Sequence, residues 1–460
     1  MKKLLFATVM AVSCSLNLLA GGLLTNTNQS IHFLRNPARG ASTEIDAVYT
    51  NPAGLSLLPR DGFHFAINNQ SAFQTRTINS TYAPFEGFGG SQTKKFKGEA
   101  SAPIIPSVQA AYKTGDWVLS GSFAVTGGGG KATFNKGLAS FESTVAIVPA
   151  VLNSFVPTIG GYSVNSYMEG ASFIYGAQLG GTYAINEMFS AFGGFRLNIV
   201  NNSYEGYLRN IKYGIGGQMV PATDVIAMNP AFGDFLPLAT DKELKCEQSG
   251  WGITPILGVN FNWQKLNVGV KYEFNTHLNV ENKTSINTTG MAAFDEGVNT
   301  PHDIPSLLTI GASYDIIEPV TVSVGYHHFF DANASMGGKE KYINGGVNEF
   351  LAGVEYRINK MFLVSCGGQI TRTGVEDAYQ SDLSFSLNSY SLGFGGAVNV
   401  TENVRINVAY FFTNYSDWTK ESADYGGINA LTNGAIPAMA GKDVFSRTNK
   451  VFGIGVDFSF

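Results

Sequence analysis

Residues 451–460 read VFGIGVDFSF. Phe452, Ile454, Val456, Phe458 and Phe460 alternate with Gly453, Gly455, Asp457 and Ser459, so an extended chain here has one greasy face and one small or polar face. The same period of two recurs upstream. In LNVGVKYEF (266–274), Leu266, Val268, Val270 and Tyr272 oppose Asn267, Gly269, Lys271 and Glu273, and VRINVAYFF (404–412) repeats the pattern. Such segments read as strands bathed by a different solvent on each face.

A water-soluble sandwich would alternate too, so the links between strands decide. Tight turns rich in turn-forming residues join neighbouring segments: TGD before 117, then NE, QK, IEP, NK and TEN. The intervening links are long, at 75–103, 127–169, 201–249, 280–305, 331–346, 374–383 and 417–443. With a first strand near 62–74 and a last near 446–460, this predicts an all-β chain: a transmembrane antiparallel barrel of about fourteen strands, short turns on one rim and long loops on the other. Closure follows from the medium, since an open edge in hydrocarbon leaves backbone amides unpaired at a cost of several kcal/mol each.

Composition agrees. Of 460 residues only 14% are charged, against about 25% in soluble domains, while Gly (54), Phe (33) and Tyr (20) are abundant. A net charge of −5 provides no basic face for nucleic acid. Residues 1–20 begin with Lys2 and Lys3, continue apolar and end at Ala20, the pattern of a signal peptide; the apolar run passes through Cys14, which argues against lipidation there. Cys246, placed in a long loop, and Cys366, on a strand near the other rim, are expected to stay unpaired. Aromatics at strand ends, among them Tyr82, Tyr183, Tyr314, Phe411 and Tyr415, suit interfacial girdles.

Residues 21–60 precede the first strand without alternation. They carry two similar corners, LRNPARGAS (34–42) and VYTNPAGLS (48–56). Pro52 fixes its φ and removes a donor, and Gly54 is expected to supply a positive φ. Ala38-Arg39-Gly40-Ala41, Asp46-Ala47-Val48 and Asn51-Pro52-Ala53-Gly54-Leu55, in this position before strand one, resemble the FadL-type transporters of long-chain fatty acids and other hydrophobic compounds.

The resemblance implies a fourteen-stranded barrel with residues 21–60 as a hatch inside the lumen and 61–460 as the wall. It makes Asn51, Pro52, Ala53 and Gly54 the hatch motif and places the mature N-terminus, at Leu23 and Leu24, beside ligand. It also implies lateral release at a kink in the third strand, WVLSGSFAVTGGGG, where Gly121 is the favoured position and Gly127 and Gly128 the next. The role of Asn36-Pro37-Ala38 stays open.

Two outer segments are unusually apolar. Phe141, Leu152, Phe155 and Val156 in 131–168, with Phe232, Phe235 and Leu236 in 219–238, read either as a groove that captures hydrophobic ligand or as packing that caps the mouth. Alternation turns Arg196, Lys271, Arg357 and Arg405 inward as candidate partners for a ligand carboxylate. No nucleophile elbow, phosphate loop or histidine spacing suggests catalysis, a metal or a cofactor. The expectation is a monomeric, passive outer-membrane channel whose partners are a hydrophobic small molecule, membrane lipid and, through terminal Phe460, the barrel assembly machinery. A polar-solute porin, a lipase-type barrel and an adhesin are the alternatives.

Overall fold

The computed structural model describes residues 23–431, 434 and 436–460, so the expected signal peptide lies outside the described residues. Fourteen antiparallel staves make one closed wall. They are β1 (Gly62–Tyr82), β2 (Thr93–Thr114), β3 (Trp117–Phe134), β4 (Ile159–Ala184), β5 (Phe189–Ile215), β6 (Lys242–Trp263), β7 (Leu266–Glu273 and Asn279–Asn287) and β8 (Asn299–Pro301 and Leu307–Ile317). The ring continues with β9 (Val320–Phe329), β10 (Val347–Arg357), β11 (Phe362–Arg372), β12 (Ser389–Asn399), β13 (Val404–Tyr415 and Trp418–Ser422) and β14 (Gly441–Ser459). β1 pairs with both β2 and β14. At this closing seam the Phe63 amide donates to the Phe460 carbonyl (3.1 Å) and the Phe460 amide donates back (2.8 Å).

The wall is inside out relative to a soluble protein. On β6, Trp251 (68% exposed), Ile253, Leu257 and Val259 face outward, while Thr254 and Asn260 are buried on the inner face. Leaving such a belt of large apolar side chains in water would forfeit about 1.5–3 kcal/mol for each, so hydrocarbon is its solvent. No helix among the described residues is long and apolar enough to cross a membrane.

The staves run further than alternation predicts. On β5 the pattern inverts: Phe195 and Ile199 point out over buried Arg196 and Asn198, but beyond them Asn201, Glu205 and Arg209 point out over buried Tyr204, Leu208 and Ile211. Above the hydrocarbon the outer solvent is water, so the polar face moves outside. The long links at 75–103, 127–169 and 201–249 consequently shrink to 83–92, 135–158 and 216–241. Cys246 therefore lies buried on β6 rather than in a loop; Cys366 is exposed on β11, and both thiols are free. Among the aromatics assigned to girdles, Tyr183 and Tyr314 are exposed, whereas Tyr82, Phe411 and Tyr415 point into the barrel.

Residues 23–58 fill the lower lumen. They bond to staves on all sides: Gln70 of β1 to Asn28, Ser107 of β2 to Gln29, Gln178 of β4 to Val48, Asn267 of β7 to Ala41 and Ser365 of β11 to Arg35. Inner-wall glycines leave room for this backbone. A Cβ on Gly311 would sit 2.3 Å from Gly40, and one on Gly393 would sit 2.0 Å from the Leu34 carbonyl oxygen.

Candidate functional site

Two short helices, α1 (Ile31–Arg35) and α2 (Ala47–Thr50), each end at an Asn followed by Pro. A residue before proline is pushed out of the helical region, and Asn36 (φ −153°, ψ 101°) and Asn51 (φ −149°, ψ 69°) both lie outside it. The two corners thus share one cause, which gives Asn36-Pro37-Ala38 a structural place: Asn36 Oδ1 accepts from the Ala38 amide (3.1 Å) and ends α1. Asn51 Nδ2 donates to the Ser42 carbonyl (3.0 Å) and to Asn260 Oδ1 (2.8 Å), tying the second corner to β6. Pro52 opens a 3-10 turn, Pro52–Leu57, whose Pro52 and Ala53 carbonyls accept from Thr182 and Ser190, each at 2.7 Å. Gly54 is not at positive φ. It is glycine because a Cβ would lie 2.4 Å from Asn51 Nδ2 and 2.5 Å from the Ser42 carbonyl oxygen.

Two ionic clusters pin this plug. Glu273 receives Arg196 and Lys271, each at 2.6 Å, and Lys271 also donates to the Tyr49 carbonyl (2.7 Å). Nearer the turn-side rim, Arg39 grips Asp46 through Nε and Nη2 (2.8 Å each), Arg35 pairs with Glu355 (2.5 Å), and Arg405 pairs with Glu44. His32, fully buried on α1, lies 3.2 Å from Asp457. Burial works against protonation of His32, but Asp457, Asp46 and Glu44 around it prevail and raise its pKa. His32, Glu44 and Asp46 offer ligand atoms within 4.8 Å of one another, yet both carboxylates are already engaged by Arg39. The Arg196, Lys271 and Arg405 set is therefore committed to carboxylates of the protein itself, and half-exposed Arg357 lies 3.6 Å from Asp315 at the turn-side mouth.

The wall has a break. β2 and β3 pair from Thr114/Trp117 to Ser107/Ala124 and again from Ala100/Ala132, but not between. On β2 the unpaired stretch contains Pro103 and Pro106, which have no amide to donate; on β3 it runs from Val125 to Lys131 through the four glycines. The plug covers β3 there from inside. The Asn26 amide donates to the Thr126 carbonyl (2.7 Å), the Gly128 amide donates to the Leu24 carbonyl (3.4 Å), and Thr25 forms a bridge with Gly127. A Cβ on Gly127 would sit 2.3 Å from the Leu24 oxygen, and Gly128 takes φ 78°. Gly121, the position favoured for the kink, is in regular register with Ala110 on one side and Leu179 on the other. Glycine content points to Gly121 and to Gly127 and Gly128 alike; the two prolines of β2 single out the second pair, because they remove amides from the facing stave.

Leu23 and Leu24 are buried in the lumen, in a cluster with Ile174, Val200 and Phe329. Above them the loop side is filled by α3 (Ala139–Leu152) and the segment 222–239, packed in one apolar cluster: Leu152 and Phe232 are buried, Val156 and Phe235 are partly buried, and Phe155 and Leu236 are exposed. The two segments meet as a cap. Beside them an apolar pocket, with about 650 Å³ of space open in part to solvent, lies between Phe141, Met168, Tyr204, Leu208, Leu244, Met291 and Phe294. Of the residues expected to form a capture groove, only Phe141 lines it.

No family model matches the chain, and no curated protein matches it in sequence. Solved structures do match in fold. A Pseudomonas aeruginosa FadL homologue is 10% identical, with 96% of this chain and 100% of that one covered at TM-score 0.66. The Pseudomonas putida toluene transporter TodX is 14% identical over 97% and 100% (TM-score 0.58), and the Ralstonia pickettii toluene transporter TbuX is 13% identical over 92% and 98% (TM-score 0.52). With its fourteen-stave wall and inward N-terminal segment, the chain has the fold of the FadL-type transporters.

Proposed function

We propose that the protein is an outer-membrane channel for the passive uptake of hydrophobic small molecules, with residues 23–58 as its hatch and the β2–β3 break as its exit into the bilayer. One observation carries this reading: a stave interrupted in the wall, its free backbone covered from within by the chain's own N-terminal residues 24–26. A porin needs an open polar bore, whereas here the lower lumen is packed with protein. Water-borne cargo enters the apolar pocket beneath the loops, passes to Leu23 and Leu24, and leaves sideways when residues 24–26 withdraw from β3. No energy source is needed, because transfer of apolar surface from water to hydrocarbon is downhill at roughly 25 cal/mol per Å².

The test uses the protein in lipid vesicles, with a hydrophobic probe and a small sugar offered together. Uptake of the probe without the sugar is expected, and free passage of the sugar overturns the proposal. A disulfide between Asn26→Cys and Thr126→Cys should block uptake until it is reduced; uptake indifferent to that bond removes the lateral exit.

A further inference from the structure

Asp331 opens a short 3-10 turn (Asp331–Asn333) just beyond β9 and is fully buried. Around it Leu23, Phe329, Ala334 and Val347 belong to one apolar cluster. Its Oδ2 accepts from the Val347 amide (3.0 Å), while Oδ1 has no partner. The backbone nitrogen of Leu23, on the plug, lies against the same carboxylate and favours its charged form. A buried carboxylate with a free oxygen and no cation is costly. The lumen carboxylates Glu44, Asp46, Glu273 and Glu355 each meet an arginine. Asp331 meets no arginine or lysine among the described residues, and neighbouring His328 is engaged through Nδ1 by Asn348 (2.9 Å).

The missing cation can be made from the nitrogen already in place. Inside a chain, the Leu23 nitrogen offers one hydrogen and no charge; at a chain end it offers three hydrogens and a positive charge at neutral pH. Leu23 becomes that end if the leader is cut after Gly22. Export leaders are cut behind a small-any-small triplet, and Ala20-Gly21-Gly22 is one, whereas a cut after Ala20 makes the triplet Leu18-Leu19-Ala20.

We infer that the mature chain begins at Leu23 and that its α-ammonium docks on the carboxylate of Asp331. The small triplet in the leader and the half-satisfied acid in the lumen are independent of each other, and they choose the same peptide bond. The cut falls two residues beyond Ala20, where the leader pattern ends. A chain cut at Ala20 would bring only a neutral amide to Asp331. Leu23 runs directly into residues 24–26, so the pair fixes the near end of the segment that covers β3 at the break. The inference goes beyond the channel reading and does not depend on it.

The test takes the protein expressed with its own leader and purified from outer membranes. Stepwise N-terminal sequencing should read Leu-Leu-Thr-Asn-Thr, and a chain starting at Gly21 or anywhere else overturns the inference. Docking is read separately by acylating the α-amine at pH 7, where lysines are protonated and slow, with mass spectrometry of the N-terminal peptide. In the folded barrel the α-amine should react at least about tenfold more slowly than after heat unfolding, because it is reached only by local opening. Asp331→Asn should bring the folded rate close to the unfolded one; unchanged protection in that variant overturns the pairing. If Asp331→Asn lacks the heat-modifiable migration of a folded barrel, the wild type decides alone, and equal rates in its folded and unfolded forms overturn the pairing.

Discussion

Asn51 illustrates how tightly single residues are fixed inside the plug. Its side-chain amide satisfies a carbonyl of the plug and an amide of the wall at once, in a place closed to water. Asn51→Ala leaves the Ser42 carbonyl without that donor, at about 1–3 kcal/mol, while Asn260 Oδ1 keeps the Asn267 amide (3.0 Å). Uptake should fall while the barrel still assembles, and unchanged uptake would remove the hatch from the mechanism. Gly127 and Gly121 make a sharper pair. Gly127→Val places a Cβ against the Leu24 carbonyl and should dislodge residues 24–26, leaving the exit uncovered and raising uptake severalfold, whereas Gly121→Val, in unbroken register, should leave it near the wild-type level. Equal effects in a vesicle uptake assay would contradict this. The Asn-Pro corners were legible because the steric rule before proline is local. The partners of the lumen cations were not: Arg405 and Glu44 stand 361 positions apart, and alternation gives only the side of the wall a residue faces.

The link between β11 and β12 reads in sequence as one more outer loop, at 374–383; in the structure it spans 373–388, and Tyr379, Leu383, Phe385 and Leu387 turn inward and are buried. Leu383 joins the apolar cluster under the outer loops, and Leu387 lines a separate lumen pocket beside Arg447. This element is thus a partition between the two, and its signal is faint because serines and aspartates flank its apolar residues. Asp382 anchors it by accepting from the Ser140 amide at the start of α3 (2.7 Å). Burial pushes the Asp382 carboxyl up to about 6, against the Ser140 hydrogen bond and with help from Asp443. An acid whose folded pKa lies above its ordinary 3.8 favours the folded arrangement most when protonated, so its contribution is full below about pH 3.8 and lost as pH rises through about 6. The midpoint of heat-modifiable unfolding should therefore drop between pH 4 and pH 7, by less in Asp382→Asn. An unaltered drop in that variant would assign the pH dependence to other groups.

At the scale of the whole molecule, closure is made by β1 against β14, paired from His64/Ser459 to Tyr82/Gly441, with Phe63 and Phe460 at the turn-side end of the seam. Phe460 exchanges both backbone hydrogen bonds with Phe63, so deleting it frays the seam at the turn-side rim. The heat-modifiable, membrane-inserted fraction should fall severalfold, and normal insertion would show that closure does not need that pair. Fold class, stave number and the sorting of turns from loops were all legible, because a period of two with two solvents is written into each stave. Stave length was not, since the alternation that marks hydrocarbon reverses where hydrocarbon ends. That reversal has a consequence for where cargo is met. Beyond Ile199, β5 continues for sixteen residues to Ile215, roughly 40 Å of height at about 3.3 Å per residue and a tilt near 40°. On the side of β5 the rim therefore stands like a chimney wall well clear of the headgroups, and molecules dissolved in the surrounding fluid reach it there without first partitioning into the leaflet below.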